Sequence, residues 1–161
     1  MMNIAFTTAL PLLLCGVLGG LLVVATVTDY RSRIISNRLN LGIALLAPLY
    51  WLSVHLSLWP GALIQVGLAL IVFAIFYLFF HFGGMGGGDV KLAAALALWF
   101  SPAEMLELIL IMSVAGGPVT LAAWADHRRS RAEGRVKVPY GIAIAIGGWI
   151  ILAQRYLNHF G

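Results

Sequence analysis

Apolar residues do not alternate with polar ones along this chain; they run together. Stretches near 4–27, 39–56, 61–82, 89–101, 102–125 and 138–154 carry almost no charge. As helices, most are long enough to cross a hydrocarbon core of about 30 Å, which takes roughly 20 residues. Short polar or glycine-bearing segments separate them. Only helices satisfy every backbone polar group within such a run, so the pattern predicts an all-α, polytopic integral membrane protein. It has six transmembrane helices in a single embedded domain over residues 1–161.

The fourth run breaks the rule. Asp89 to Ser101 would reach only about 20 Å as a helix, and it follows Gly83-Gly84-Met85-Gly86-Gly87-Gly88. Backbone so rich in glycine is tolerated at membrane depth only where protein or a water-filled cavity surrounds it. A wet pocket is therefore expected at this break.

Composition sharpens the class. Of 161 residues 61% are hydrophobic and 10% charged, against roughly 25% charged in a soluble domain, which excludes a water-soluble fold. The first run lacks a basic leading segment and is too long for a signal peptide, so it reads as a retained helix. The lone Cys15 lies inside it, with no second cysteine for a disulfide or a zinc pair, and reads as a small buried apolar residue.

The net charge of +4 comes from basic residues clustered between the apolar runs. Anionic lipid headgroups, and not nucleic acid, are the expected partner. Assigning the loops alternately to two sides puts Arg31, Arg33, Arg38, Lys91, Arg128, Arg129, Arg131, Arg135 and Lys137 together, leaving only Arg155 opposite. The basic loops then face the cytosol and both termini lie outside it, as in a multi-pass protein of the bacterial inner membrane. The loop 126–137 reads as a determinant of that orientation.

Among polar residues near the spans, Ser101, Pro102 and Glu104 form a capping box, which gives Glu104 a structural role. His55 and His81 lie near span ends and read as interfacial anchors. No cluster has metal-ligand spacing, so neither a metal nor another cofactor is expected.

The three aspartates, Asp29, Asp89 and Asp126, all fall on the cytosolic side in this topology. Each of the first two has a plain structural reading: Asp89 as the N-cap of the fourth helix, Asp29 as an interfacial partner of Arg31 or Arg33. Together they read differently, because acids beside spans are rare and mark functional sites. Two carboxylates close enough to share a proton supply a base that activates water and an acid that donates to a scissile carbonyl. The neighbouring glycines would let a substrate backbone approach. A proton-coupled transporter using the same acids and a noncatalytic assembly factor are the competing readings.

Here the residues resemble the type IV prepilin and preflagellin peptidases, membrane aspartyl proteases with a G-x-G-D motif. Gly86, Gly88 and Asp89 match it, followed by Lys91; Asp29 precedes a basic stretch and Ile35-Ser36-Asn37; Pro139, Tyr140 and Gly141 match a third segment. The resemblance implies that Asp29 and Asp89 are the catalytic pair. It also implies that the partner is a pilin-like precursor, a leader joined to a hydrophobic helix, cut at the cytosolic face. Ser36 stands where the family usually has proline. The cysteine-bearing insertion of the larger, methylating members is missing from the sequence, which looks like the short type found with tight-adherence pili.

Overall fold

The structure is a computed structural model that describes the backbone of residues 2–129 and 140–160 and the side chains of 9–121, 125 and 140–158. Its helices are α1 (Met2–Ser32), α2 (Asn37–Ser53), α3 (Leu63–His81), α4 (Gly87–Ala97), α5 (Pro102–Arg129) and α6 (Tyr140–Phe160). Their number and order match the six apolar runs. Four segments, Ala9–Ser32, Leu58–His81, Pro102–Leu121 and Tyr140–Asn158, are long and apolar enough to cross a membrane. At 17 and 11 residues, α2 and α4 are shorter than that.

α1 runs five residues past the expected end at Val27. The hydroxyls of Thr26, Thr28 and Ser32 donate to carbonyls three or four residues back, at 2.7–3.0 Å, so these polar side chains are satisfied inside the helix. Thr28 and Ser32 lie beyond the apolar run that ends near Val27. The helix stops at Arg33, whose φ is 55°. Ser36 then caps α2, its hydroxyl accepting from the Leu39 N–H at 3.2 Å. Its φ of −69° lies in the range proline imposes, about −65°. Serine in place of proline therefore keeps the loop's direction and adds a cap.

The short α4 sits in the middle. Leu92, Ala93, Leu96 and Ala97 are fully buried, and α2, α3 and α6 pack around it. α1 lies against α2 and α6, and α5 against α6. Small residues set these approaches, as is usual between helices in lipid. A Cβ on Gly148 would stand 2.8 Å from Leu22, and one on Gly147 3.3 Å from Leu108.

Beyond the end of α4, a polar knot holds four helices. Arg155 of α6 donates Nε and Nη2 to the two oxygens of Glu104 at 2.6 and 2.7 Å, Nη2 also to the Trp99 carbonyl at 2.8 Å, and Nη1 to the Tyr50 hydroxyl at 2.9 Å. Tyr50 stacks on Trp99, and the indole N–H groups of Trp51 and Trp99 donate to the carbonyls of Leu98 and Ile43. The capping box forms as well, with the Ser101 N–H donating to Glu104 Oε2 at 2.7 Å. Cys15 lies against the Arg155 guanidinium, a more polar setting than its sequence position implied. Fork-to-fork pairing of this kind is among the strongest protein hydrogen bonding.

Removing one member of a largely buried charged pair leaves the other unpaired. Arg155→Met is therefore expected to destabilise the protein by about 2 kcal/mol or more. Thermal unfolding in detergent measures the loss, and the double variant with Glu104→Gln should recover part of it.

Candidate active site

Asp29 is the fourth residue from the end of α1 and Asp89 is the third residue of α4, in line with the expectation that Asp29 closes the first helix and Asp89 opens the fourth. Both carboxylates are buried, 3% and 5% exposed. They are brought within electrostatic reach of each other where the end of α1 meets the starts of α4 and α6.

Backbone amides answer the burial. The Ile142 N–H donates to Asp29 Oδ2 at 3.2 Å, and the Gly141 N–H lies close to both carboxylates. Amides in the first turn of a helix have no acceptor within it and carry the positive end of its dipole, so the start of α6 is a fitting host for an acidic pair. The Gly86 N–H lies close to the Asp89 carboxylate. Gly86, not Asp89, is the N-cap of α4; the aspartate reaches back from the third position, as the acid of a capping box does.

Glycine is required here by close approach. A Cβ on Gly141 would lie 2.5 Å from Ile35 Cδ1 and 2.7 Å from Asp29 Oδ2. One on Gly88 would be 3.0 Å from the Ile35 carbonyl oxygen, and one on Gly86 2.8 Å from Asp89 Oδ2. Ile35, itself 5% exposed, is thus the post against which α4 and α6 close.

Other residues singled out in the sequence lie apart. Lys91 is two residues from Asp89, about 200° around the helix, and its ammonium donates to Asn37 Oδ1 at 2.7 Å on the face away from the carboxylates. Tyr140 opens α6 and is half-buried. Pro139, residues 130–137 of the basic loop and the Asp126 side chain fall outside what the structure describes. His55 lies two residues past the end of α2 with φ 55°, and the His81 ring meets Phe82 edge-on at the end of α3. Among the described residues no three His, Cys, Asp or Glu side chains gather as a metal site would require.

The carboxylates are packed against backbone amides and Ile35, and the cavities described between α2, α3 and α4 and beside Cys15 and Trp149 are lined by other residues. Sequence reading passed over Ile35 as a packing residue, Ile142 as a donor, and Asn40, whose Nδ2 holds the Gly88 carbonyl at 2.9 Å. For Asn40 a signal existed, an amide inside an apolar run.

A helical protein with membrane-length segments and a buried pair of acids at three converging helix ends is the class that this geometry defines. The profile of the type IV leader peptidase family matches residues 4–121, and the chain belongs to that family. It is similar to the prepilin leader peptidase/N-methyltransferase of Xanthomonas campestris pv. campestris, with 32% identity over 90% of this chain and 53% of the relative. The protein of the same description from Bacillus subtilis is 30% identical over 96% of this chain and 60% of its own length. The one from Stutzerimonas stutzeri is 33% identical over 68% and 40%. The chain thus spans about half the length of the curated relatives it matches. No solved structure matches it.

The glycine contacts predict a sharp contrast in stability. Gly88→Ala and Gly141→Ala overpack the helix junction and should each cost about 1–3 kcal/mol. Gly20→Ala and Gly117→Ala, where a Cβ meets nothing within 4 Å, should be neutral or stabilising. Melting of the four variants in one detergent compares them directly.

Proposed function

We propose that this chain is an aspartyl endopeptidase that removes the leader of type IV pilin-like precursors at the cytosolic face of the bacterial inner membrane. The observation that carries the reading is the burial of Asp29 and Asp89 together where α1, α4 and α6 converge, with Asp29 bonded to the first turn of α6. Family membership supports the reaction class, and the curated relatives are described as prepilin leader peptidases. Their second described activity, methyl transfer, is not extended to this chain.

Two carboxyls held this close do not both ionise at little cost. In the reaction the ionised member takes a proton from water as the oxygen attacks the scissile carbonyl, and the protonated member donates to the carbonyl oxygen. Collapse of the tetrahedral adduct then breaks the C–N bond, with a proton passed to the leaving amine. The Ile142 amide holds Asp29 in position, and those of Gly141 and Gly86 lie close to the acids. Substrate binding must open the packing around Ile35, since both acids are buried in this state.

The topology proposed with it has all six helices crossing, with both termini outside the cytosol. The segregation of nine basic residues from Arg155 supports that orientation. The short α4 crosses inside a jacket of α2, α3 and α6, where lipid does not reach its ends.

Asp29→Asn and Asp89→Asn are each expected to abolish leader removal while the protein still inserts, and Asp126→Asn to leave it nearly unchanged. A mobility shift of a co-expressed precursor reads the outcome, with N-terminal sequencing of the product. Full cleavage by either of the first two variants would exclude the dyad, and tolerance of both would favour a scaffold.

A reporter fused after Gly161 should be active outside the cytosol, and one inserted within 128–135 inside it. A cytosolic signal from the C-terminal fusion would rule out the six-span arrangement.

A further inference from the structure

On the far side of α4 from the carboxylates, α2 and α3 both rest on that helix and leave a groove of about 530 Å³ between them. Its walls are apolar, formed by Leu41, Ala44, Ala69, Leu70, Phe73 and Leu98 among others. Only one end is polar, and it is the end level with Asp29 and Asp89. There Asn37, Asn40 and Lys91 line the groove. Lys91 has a neutral partner, Asn37, and among the described residues no carboxylate pairs with it. Asn40 is 5% exposed; its Nδ2 is used by Gly88, while its buried Oδ1 has no hydrogen-bond partner.

An apolar channel ending in an uncompensated ammonium and an unused amide oxygen matches one ligand chemistry: an apolar tail, an anionic group, and a hydroxyl donor beside it. We propose that this groove is a phospholipid site. One acyl chain fills the channel, and a glycerol-bearing anionic headgroup sits at the polar end, its phosphodiester on Lys91 and a hydroxyl turned to Asn40 Oδ1.

Placement favours a lipid over a peptide helix, and the groove, about two helical turns long and open along its side, is long enough for an acyl chain to follow. A helix in the groove would lie behind α4, with Lys91 and not Asp89 at its end, so it would not present a bond to the acids. Basic pockets between transmembrane helices at the cytosolic level take anionic headgroups for the same electrostatic reason. The site does not depend on the peptidase reading.

Native mass spectrometry of the full chain in detergent, with added phosphatidylglycerol or phosphatidylcholine, tests it. The native protein should retain one phosphatidylglycerol, and hold it at least about fivefold better than phosphatidylcholine. Lys91→Gln should erase that preference. Ala69→Phe, which fills the groove and keeps the charge, should lower retention of both lipids, whereas Val114→Phe, on an exposed face of α5, should leave both unchanged. Asp29→Asn should retain the lipid whether or not it cleaves precursor. Equal retention of the two lipids by the native protein, or equal loss in Ala69→Phe and Val114→Phe, would overturn the proposal. So would a photo-crosslinker at Leu70 that captures precursor helix in place of phospholipid.

Discussion

Burying two carboxylates in a protein that is otherwise almost wholly apolar is the constraint from which the rest of this structure follows. A charge without partners in such surroundings costs several kcal/mol, and among the described residues no lysine or arginine forms an ion pair with either acid. The partners are backbone amides at helix starts, Gly141 and Ile142 of α6 and Gly86 ahead of α4. Because amides of this kind point along a helix axis, the acids are satisfied only where the axes converge. Position and register of α1, α4 and α6 are thereby tied together.

Convergence of three helix ends needs room, and glycine provides it. Gly88 and Gly141 approach Ile35 so closely that a methyl group at either would displace the isoleucine. The glycine-rich segment before α4 is therefore as much a packing device as an opening for substrate. The short turn carrying Ile35 and Ser36 serves both as the link to α2 and as the wedge between α4 and α6. Ser36 keeps the backbone angle that proline would have, so the wedge is held without it.

The two ends of the bundle are built differently. At the end away from the acids, Arg155, Glu104, Tyr50 and Trp99 form a saturated network in which a charge is met by opposite charge and by aromatic rings. It pins α2, α5 and α6 around the last turn of α4, which is too short to be held by its own length. At the other end, among the described residues, the contacts are apolar packing, backbone amides and the separate hydrogen bonds of Lys91 and Asn40, with no comparable network.

Much of this was legible in the amino-acid sequence. Apolar runs separated by short polar segments dictate helices, and their number and order are as observed; Ser101, Pro102 and Glu104 announce their own capping box, because those interactions are local. The glycine-rich break and the two aspartates beside it were recognisable by their rarity in such a chain. What the sequence did not carry were relations between residues far apart. The apolar run fades near Val27, short of the end of α1 at Ser32, because hydroxyl groups that bond back into their own helix look polar on any scale. Nothing local distinguishes Ile35 from other isoleucines, or joins Arg155 to Glu104 across 51 positions. The facing of Lys91 away from Asp89 follows from helical rotation only once α4 is known to begin at Gly87. Those pairings were decided by tertiary structure, since a buried charge or close backbone approach is defined by what surrounds it, and its surroundings come from other helices.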